Sequence, residues 1–166
     1  SPSYDWHMTN LDNYVHLRPQ NPNPVVVNGL TFAANGQGFG MVGLPGDISP
    51  PSRFVKIATL LQVVTPVNNA NDAVNLAQHV INNVDIPLGL AREPGNGNIT
   101  NETTEWVVFK DLTHKIFYYR TYGDLTLRAV SFDKIDFSDK APRLRMPVLN
   151  PQTVMDMTSQ FEKAKA

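Results

Sequence analysis

The sequence predicts a fold of the α+β class, because helix and strand patterns occupy separate parts of the chain. Helical spacing of apolar residues appears after Pro50 and again after Asn71. Three strand-like runs follow within residues 105–131, and short turn-forming segments separate them. Strands joined this closely pair as an antiparallel meander, whose apolar face packs against helices. With 166 residues, the chain is long enough for one domain with a real core.

The composition excludes several classes of function. The 14 Lys and Arg residues nearly balance the 15 Asp and Glu residues, so nothing favours binding to nucleic acid or to an anionic membrane. The chain contains 0 cysteines and therefore has no disulfide framework, thiolate nucleophile or cysteine-based metal site. No stretch is apolar for long enough to cross a bilayer, and no charged-then-apolar leader opens the chain. Because it begins at Ser1 rather than methionine, we expect a processed or cut piece.

The chain starts with a short helix, predicted over residues 4–17, that Ser3 can cap. Trp6 lies off the apolar stripe of this helix, so we expect it to pack in the core. His7 and His16 are too far apart to share one helix face as metal ligands, and no carboxylate completes a set. We therefore expect no metal site and no cofactor.

Two glycine-containing segments follow. The β-branched run 25–32 is interrupted at Asn28 and Gly29, which is typical of a strand that folds into a hairpin. Residues 36–43 contain the dinucleotide-binding pattern GxGxxG, but Pro45 blocks the helix that this pattern requires. We predict a plain strand with close backbone packing here instead.

The segment 43–54 is a sharp turn that opens a helix. Ser49 suits the N-cap and Pro50 suits the first helical position, where a missing N–H costs nothing. Arg53 then falls in the first turn, where a cation faces the positive end of the helix dipole. Two interpretations stay open: Arg53 forms a structural ion pair with Asp47, or the chain keeps Arg53 for a functional purpose.

The middle of the chain contains another helix and an exposed loop. Asn71 or Asp72 is predicted to cap the helix. Residues 93–104 are rich in Gly, Asn and Pro, which predicts an exposed loop. This loop carries N-glycosylation sequons at Asn98 and Asn101, which matter only in a eukaryotic secretory setting.

The meander is the clearest local signal in the sequence. Its strands are predicted over residues 105–110, 115–122 and 125–131. Gly123 and Asp124 suit a tight hairpin turn between the last two strands. The residues expected to share one packed face are Trp106, Val108, Phe117, Tyr119, Leu125 and Leu127.

The remainder of the chain, residues 132–166, is predicted to be a tail that makes assembly contacts. It is rich in proline, and a surface helix is predicted over residues 151–163. The whole chain lacks a GxSxG elbow, a Walker loop and a recognisably spaced pair of carboxylates. These residues alone therefore show no nucleophile.

Four parts of the sequence resemble the choloylglycine hydrolase family, which includes bile salt hydrolases and penicillin V acylases. Residues 4–11 are similar to the family segment Phe-Asp-Trp-His-Leu-Thr-Asn-Leu. Residues 43–47 match its Gly-Leu-Pro-Gly-Asp turn, and residues 52–54 match its Ser-Arg-Phe helix start. Residues 118–122 resemble its Tyr-Arg-Thr-Tyr strand. The matches occur in the family's order and are specific.

The resemblance implies the N-terminal nucleophile hydrolase fold, an αββα sandwich of which this chain is the C-terminal part. Family members begin, after processing, with a cysteine that attacks an amide carbon and uses its own α-amino group as base. That cysteine and its early Arg and Asp neighbours are absent here, and the family's catalytic Asn would precede Ser1. Only Arg53 is matched by motif, so the resemblance implies that Arg53 is catalytic. A permanent cation near a cysteine lowers the thiol pKa and stabilises developing negative charge.

We therefore predict a cysteine amidohydrolase that cleaves a non-peptide amide, such as a conjugated bile salt or penicillin V. The resemblance implies three partners: an N-terminal part of the same protein that carries the cysteine, the amide substrate, and further copies in a homotetramer. It leaves the compartment open between the bacterial periplasm and the cytoplasm. Residues 1–131 are assigned to the hydrolase domain and residues 132–166 to the tail.

The alternative is a non-catalytic binding or assembly module. Such a module would fold alone and bury its meander against itself. A piece of a hydrolase would instead expose a large apolar sheet face, because that face packs on the other half of the enzyme.

Overall fold

The computed structural model describes residues 2–95, 97–149 and 151–161. The chain divides into two compact units, Ser1–Glu102 and Thr103–Ala166. The first unit contains the helices and two small hairpins, and the second contains a three-stranded sheet followed by an extended tail. Within the described ranges, no helix is both long and apolar enough to cross a membrane.

Three α-helices form the first unit: α1 (Tyr4–Asn10), α2 (Pro50–Val63) and α3 (Ala70–Asn82). Ser3 caps α1 as predicted, because its Oγ accepts a hydrogen bond from the backbone N–H of Trp6 at 3.3 Å. The α-helix is shorter than the predicted span 4–17, since residues 11–14 form a 3-10 helix. The core of this unit is built around the fully buried Val55 of α2.

The cap of α3 lies earlier than predicted. Asn69 is the N-cap, and its Oδ1 accepts from the backbone N–H of Asp72 at 2.9 Å. The prediction of Asn71 or Asp72 was wrong because both residues lie within the first turn of the helix. The backbone N–H of Asp72 donates the capping hydrogen bond, and Asn69 accepts it.

The predicted hairpin over residues 25–32 is confirmed. Strand β1 (Val25–Val27) pairs with β2 (Leu30–Phe32), and the turn between them uses Asn28 at φ 50° and Gly29 at φ 77°. Positive φ at both turn residues gives the type of turn that matches strand twist. All six strand residues are exposed.

Within residues 93–102 the described residues are exposed, but most of them belong to a second hairpin rather than to the predicted loop. Strand β3 (Ala91–Pro94) pairs with β4 (Ile99–Glu102), and this hairpin carries Asn98 and Asn101. The sequence did not reveal these strands because neither face is packed, so no alternation of apolar and polar residues marks them.

The strand predicted over residues 36–43 is wrong. A 3-10 helix, Phe39–Met41, replaces it, and Gly38 precedes this helix with φ 89°. The close backbone packing that was predicted here is present at Gly40, because a Cβ atom there would collide with the carbonyl oxygens of Arg18 and Gln20.

The second unit contains the predicted antiparallel meander: β5 (Trp106–Asp111), β6 (Ile116–Thr121) and β7 (Asp124–Ser131). Thr121 pairs with Asp124, so the turn is made by residues 122–123, one position earlier than predicted. Tyr119 pairs with Arg128, which places Leu127 on the face opposite Tyr119. The shared face predicted for these two residues is therefore wrong, because directly opposed residues share a face and neighbours along a strand alternate; the irregularity between Tyr119 and Thr121 shifts the register by two residues and leaves this alternation unchanged.

The tail contains two 3-10 helices, Phe132–Lys134 and Thr158–Gln160. The helix predicted over residues 151–163 is absent from residues 151–161, and residues 162–166 lie outside the described residues. A local bond explains the difference, since Asp156 Oδ1 accepts from the backbone N–H of Thr158 at 2.9 Å and from its hydroxyl at 2.6 Å. Such side-chain bonds compete with helix formation. The division at residue 131 and the assembly contacts remain predictions.

Candidate functional site

The turn before α2 is held by the carboxylate of Asp47. Its Oδ1 accepts from the backbone N–H of Ser49 at 2.9 Å, and its Oδ2 accepts from the hydroxyl of Ser52 at 2.6 Å. Hydrogen bonds from Ser49, and then from Ser52, lower the pKa of Asp47 from 3.8 to about 2. Ser49 occupies the predicted N-cap position, but its side chain makes no capping bond. Asp47 instead organises the first turn.

Arg53 lies in this first turn, as predicted. Its backbone N–H donates to the carbonyl of Ser49 at 2.9 Å, which is the first hydrogen bond of the helix. Its side chain is half-buried, and Nε is fully buried without a hydrogen-bond partner among residues 2–95, 97–149 and 151–161. Among the described residues Arg53 forms no ion pair with Asp47, whose two oxygens each accept a hydrogen bond from a serine. The site thus contains a permanent cation that no described carboxylate neutralises.

Lys56 is a second cation at this end of α2, and the sequence analysis missed it. The residue is only 9% exposed, and its Nζ donates to the carbonyl of Asn83 at 2.9 Å and to that of Gly46 at 3.5 Å. Lys56 therefore ties the turn and the end of α3 to α2. The signal that could have revealed it is that Lys56 is the one charged residue in the otherwise uncharged stretch 54–64.

An aromatic cluster joins α1 to the start of α2. The ring of His7 stacks on the ring of Phe54, with centroids 4.5 Å apart and planes inclined by 17°. Tyr4 contacts Phe54 edge-on at 6.1 Å. Trp6 contacts His7 edge-on at 5.5 Å but is 47% exposed. The prediction of a core Trp6 is wrong, because α1 turns His7 inward in its place.

Each of the two units has an apolar groove among its described residues. The groove in the first unit has a volume of about 420 Å³, and its lining includes Tyr4, Met8, Phe54 and Leu61. The groove in the second unit has a volume of about 1200 Å³ and runs over the sheet face that carries Trp106, Val108, Phe117 and Tyr119. Arg53 lines neither groove.

A buried carboxylate fixes the end of the sheet in the second unit. Asp124 accepts from Arg128 at 2.5 Å, from the backbone N–H of Thr126 at 2.8 Å and from the hydroxyl of Thr153 at 3.1 Å. The bond from Arg128, and then those from Thr126, hold the pKa of Asp124 well below its usual value. All three donors belong to the second unit, so we interpret these hydrogen bonds as holding the end of the sheet in place.

The described residues contain no group of three or more His, Asp or Glu side chains that could hold a metal ion. What the arrangement offers chemically is therefore the cation of Arg53 on a rigid helix start. A guanidinium held in this way can bind a carboxylate or stabilise a developing negative charge.

Comparison with known proteins gives this geometry a context. The family described as linear amide C-N hydrolases, choloylglycine hydrolase family, matches residues 1–144. A bile salt hydrolase/transferase of Clostridium perfringens is 34% identical over 136 residues, which are 81% of this chain and 40% of that protein. The chain thus spans about two fifths of the length of this relative.

Two solved structures have a similar fold. A crystal structure of a variant of the conjugated bile acid hydrolase from Clostridium perfringens matches with a TM-score of 0.77 and 26% sequence identity. The match covers 95% of this chain and 47% of the chain in that structure. The structure of penicillin V acylase from Agrobacterium tumefaciens matches with a TM-score of 0.61 and 20% sequence identity. This match covers 85% of this chain and 37% of the acylase chain. Both are N-terminal nucleophile hydrolases, so the predicted fold class is confirmed for the part of the fold that the chain covers.

Proposed function

The chain belongs to the choloylglycine hydrolase family of linear amide C-N hydrolases, and on this premise we propose that it is part of a cysteine amidohydrolase that cleaves non-peptide amides. The nucleophile is an N-terminal cysteine in a part of the protein that these 166 residues do not include. The substrates are conjugated bile salts or penicillin V. The names of the relatives motivate this choice of substrates.

The reaction divides into two steps. In the first, the cysteine thiolate attacks the amide carbon, the C–N bond breaks, and the amine leaves with a proton from the α-amino group that acted as base. In the second, water attacks the thioester carbon and releases the carboxylic acid, while the thiol recovers its proton. Negative charge develops on the carbonyl oxygen in both steps, so a fixed cation nearby lowers both barriers.

The unneutralised guanidinium of Arg53 is the observation that carries the proposal. Its Nε is a buried donor without a partner in the described part of the chain, and the carboxylate nearest along the chain, Asp47, is bound to serines. A structural arginine would satisfy its donors locally, because unpartnered buried donors are costly. The arrangement is the one expected of a cation whose partner is the reacting thiolate, the substrate or another catalytic group.

The sheet of the second unit favours this function over a stand-alone binding module. Trp106 is 62% exposed and Leu125 is 64% exposed, and Val108 is also exposed. A self-sufficient module would bury such residues, whereas a piece of a larger enzyme packs them on its remaining part. We propose that this remaining part and further copies in a homotetramer are its protein partners; light scattering of the complete protein tests the tetramer.

The deciding experiment uses the complete protein. Intact-mass measurement and N-terminal sequencing should reveal a species that begins with cysteine, and hydrolysis of glycine- or taurine-conjugated bile salts is then compared with that of penicillin V.

Arg53→Ala should lower kcat/KM by more than about tenfold, roughly 1.4 kcal/mol. Arg92→Ala is the matched control, because Arg92 is exposed and its guanidinium bonds the carbonyl of Gly89. Equal activity of the two variants would contradict a catalytic Arg53.

A further inference from the structure

The ring of His7 restrains the residue that follows Arg53. His7 is 8% exposed, and its ring lies parallel to that of Phe54 with centroids 4.5 Å apart. Phe54 also receives the edge of Tyr4. Because α1 packs against α2, these contacts limit the rotation of the first turn of α2 about its axis. They therefore help to set the direction in which the side chain of Arg53 leaves the helix.

Stacking alone does not account for a histidine at this position. The Nδ1 atom of His7 is buried and has no hydrogen-bond partner in the residues that the structure describes. A phenylalanine would stack on Phe54 equally well and would leave no buried polar atom unsatisfied. The nitrogen therefore has a use that the described residues do not reveal.

The same feature occurs at Arg53, whose Nε is also buried and unpartnered in the described part of the chain. The two nitrogens thus belong to the residues that adjoin Phe54, one along the chain and one through ring stacking. Each needs a polar group from outside the described residues. A site completed by such groups would satisfy both nitrogens.

We propose that His7 is a positioning residue for the amide hydrolysis proposed above, on which this inference rests. Its ring holds Phe54, and its Nδ1 forms a hydrogen bond with a polar group of the complete active site. That bond locks the ring, and the locked ring fixes the first turn of α2 and the guanidinium of Arg53. His7 acts through Arg53 and takes no part in bond breaking.

His7→Phe in the complete protein tests the nitrogen, because this variant keeps the ring and removes Nδ1. We expect kcat to fall by about tenfold or more, KM to change by less than about threefold, and Tm to stay equal or fall, because the variant leaves the proposed hydrogen-bond partner of Nδ1 unsatisfied. A histidine that serves packing alone would leave kcat and KM unchanged, and that result would overturn the proposal. His79→Phe is the matched control, since His79 is exposed on α3 and should leave kcat unchanged.

A second pair of variants decides the question even where His7→Phe does not fold. Asn and Leu are nearly equal in size, and the Asn amide places a polar atom close to the position of Nδ1. The kcat of His7→Asn should therefore be at least about fivefold higher than that of His7→Leu. Equal kcat values for the two variants would also overturn the proposal.

The failure of this inference differs from failure of the proposed function. If the unaltered complete protein hydrolyses none of the amides, both are wrong. If it hydrolyses an amide and Arg53→Ala loses activity while His7→Phe retains it, only the role of His7 is wrong.

Discussion

Lys56→Met tests whether the buried cation of α2 joins the end of α3 to this helix. The ammonium of Lys56 donates to the carbonyl of Asn83 at 2.9 Å and to that of Gly46 at 3.5 Å. Methionine is unbranched and of similar length, so it fills the same volume and removes only the charge and its hydrogen bonds. The variant therefore isolates the polar contribution of Lys56 from its packing.

The expected loss of stability follows from these two contacts. A hydrogen bond to a charged group contributes about 1.5–3 kcal/mol, and the bond at 2.9 Å has full strength. The contact with Gly46 at 3.5 Å is beyond the usual range and contributes little. Methionine also removes the cost of burying an ammonium, which offsets part of the loss. We expect the free energy of unfolding to fall by about 1–2 kcal/mol.

A urea titration of the complete protein at fixed protein concentration measures this change. Lys140→Met is the matched control, because Lys140 is exposed in the tail and should change the free energy of unfolding by less than about 0.5 kcal/mol. If Lys56→Met lowers the free energy of unfolding by no more than Lys140→Met does, or raises it, Lys56 does not join α3 to α2.

Two further predictions concern the first unit. Gly40→Ala should lower the free energy of unfolding by about 1–3 kcal/mol in the same titration, because its Cβ would collide with the carbonyl oxygens of Arg18 and Gln20; an unchanged midpoint would contradict that packing. The lowered pKa of Asp47 makes its carboxylate stabilising above about pH 4, and this contribution is lost as pH falls from about 4 to about 2. Asp47→Asn should therefore lower the urea midpoint at pH 5 but not at pH 2, and a difference that persists at pH 2 would refute the assignment.

The sequence predicted those elements whose signals are local. Pro50 and the preceding serine mark the start of α2, Asn28 and Gly29 mark the first hairpin, and alternating residues mark the meander. The position of Arg53 in the first turn of α2 was predicted correctly because nearby residues mark the start of that helix. Each of these features depends on neighbours in the chain, so one sequence was enough to find it.

The features that were missed depend on tertiary packing. Burial of Lys56 requires the end of α3, and burial of His7 requires Phe54 on another helix. No pattern within α1 distinguishes an inward His7 from an inward Trp6. The second hairpin escaped detection for the opposite reason, since it packs against nothing that would impose alternation.

The carboxylate nearest to Arg53 along the chain is bound by serines rather than by the guanidinium. Both oxygens of Asp47 accept hydrogen bonds from serines, and these bonds lower the pKa of its carboxyl. An ion pair with Asp47 would weaken the interaction that we propose between Arg53 and a reacting thiolate or substrate. Lys56 meanwhile joins the end of α3 to α2 through its hydrogen bond to the carbonyl of Asn83. A buried guanidinium nitrogen without a partner in the described part of the chain lowers stability at this helix start, and this cost is the reason that we propose a partner for Arg53 in the complete protein.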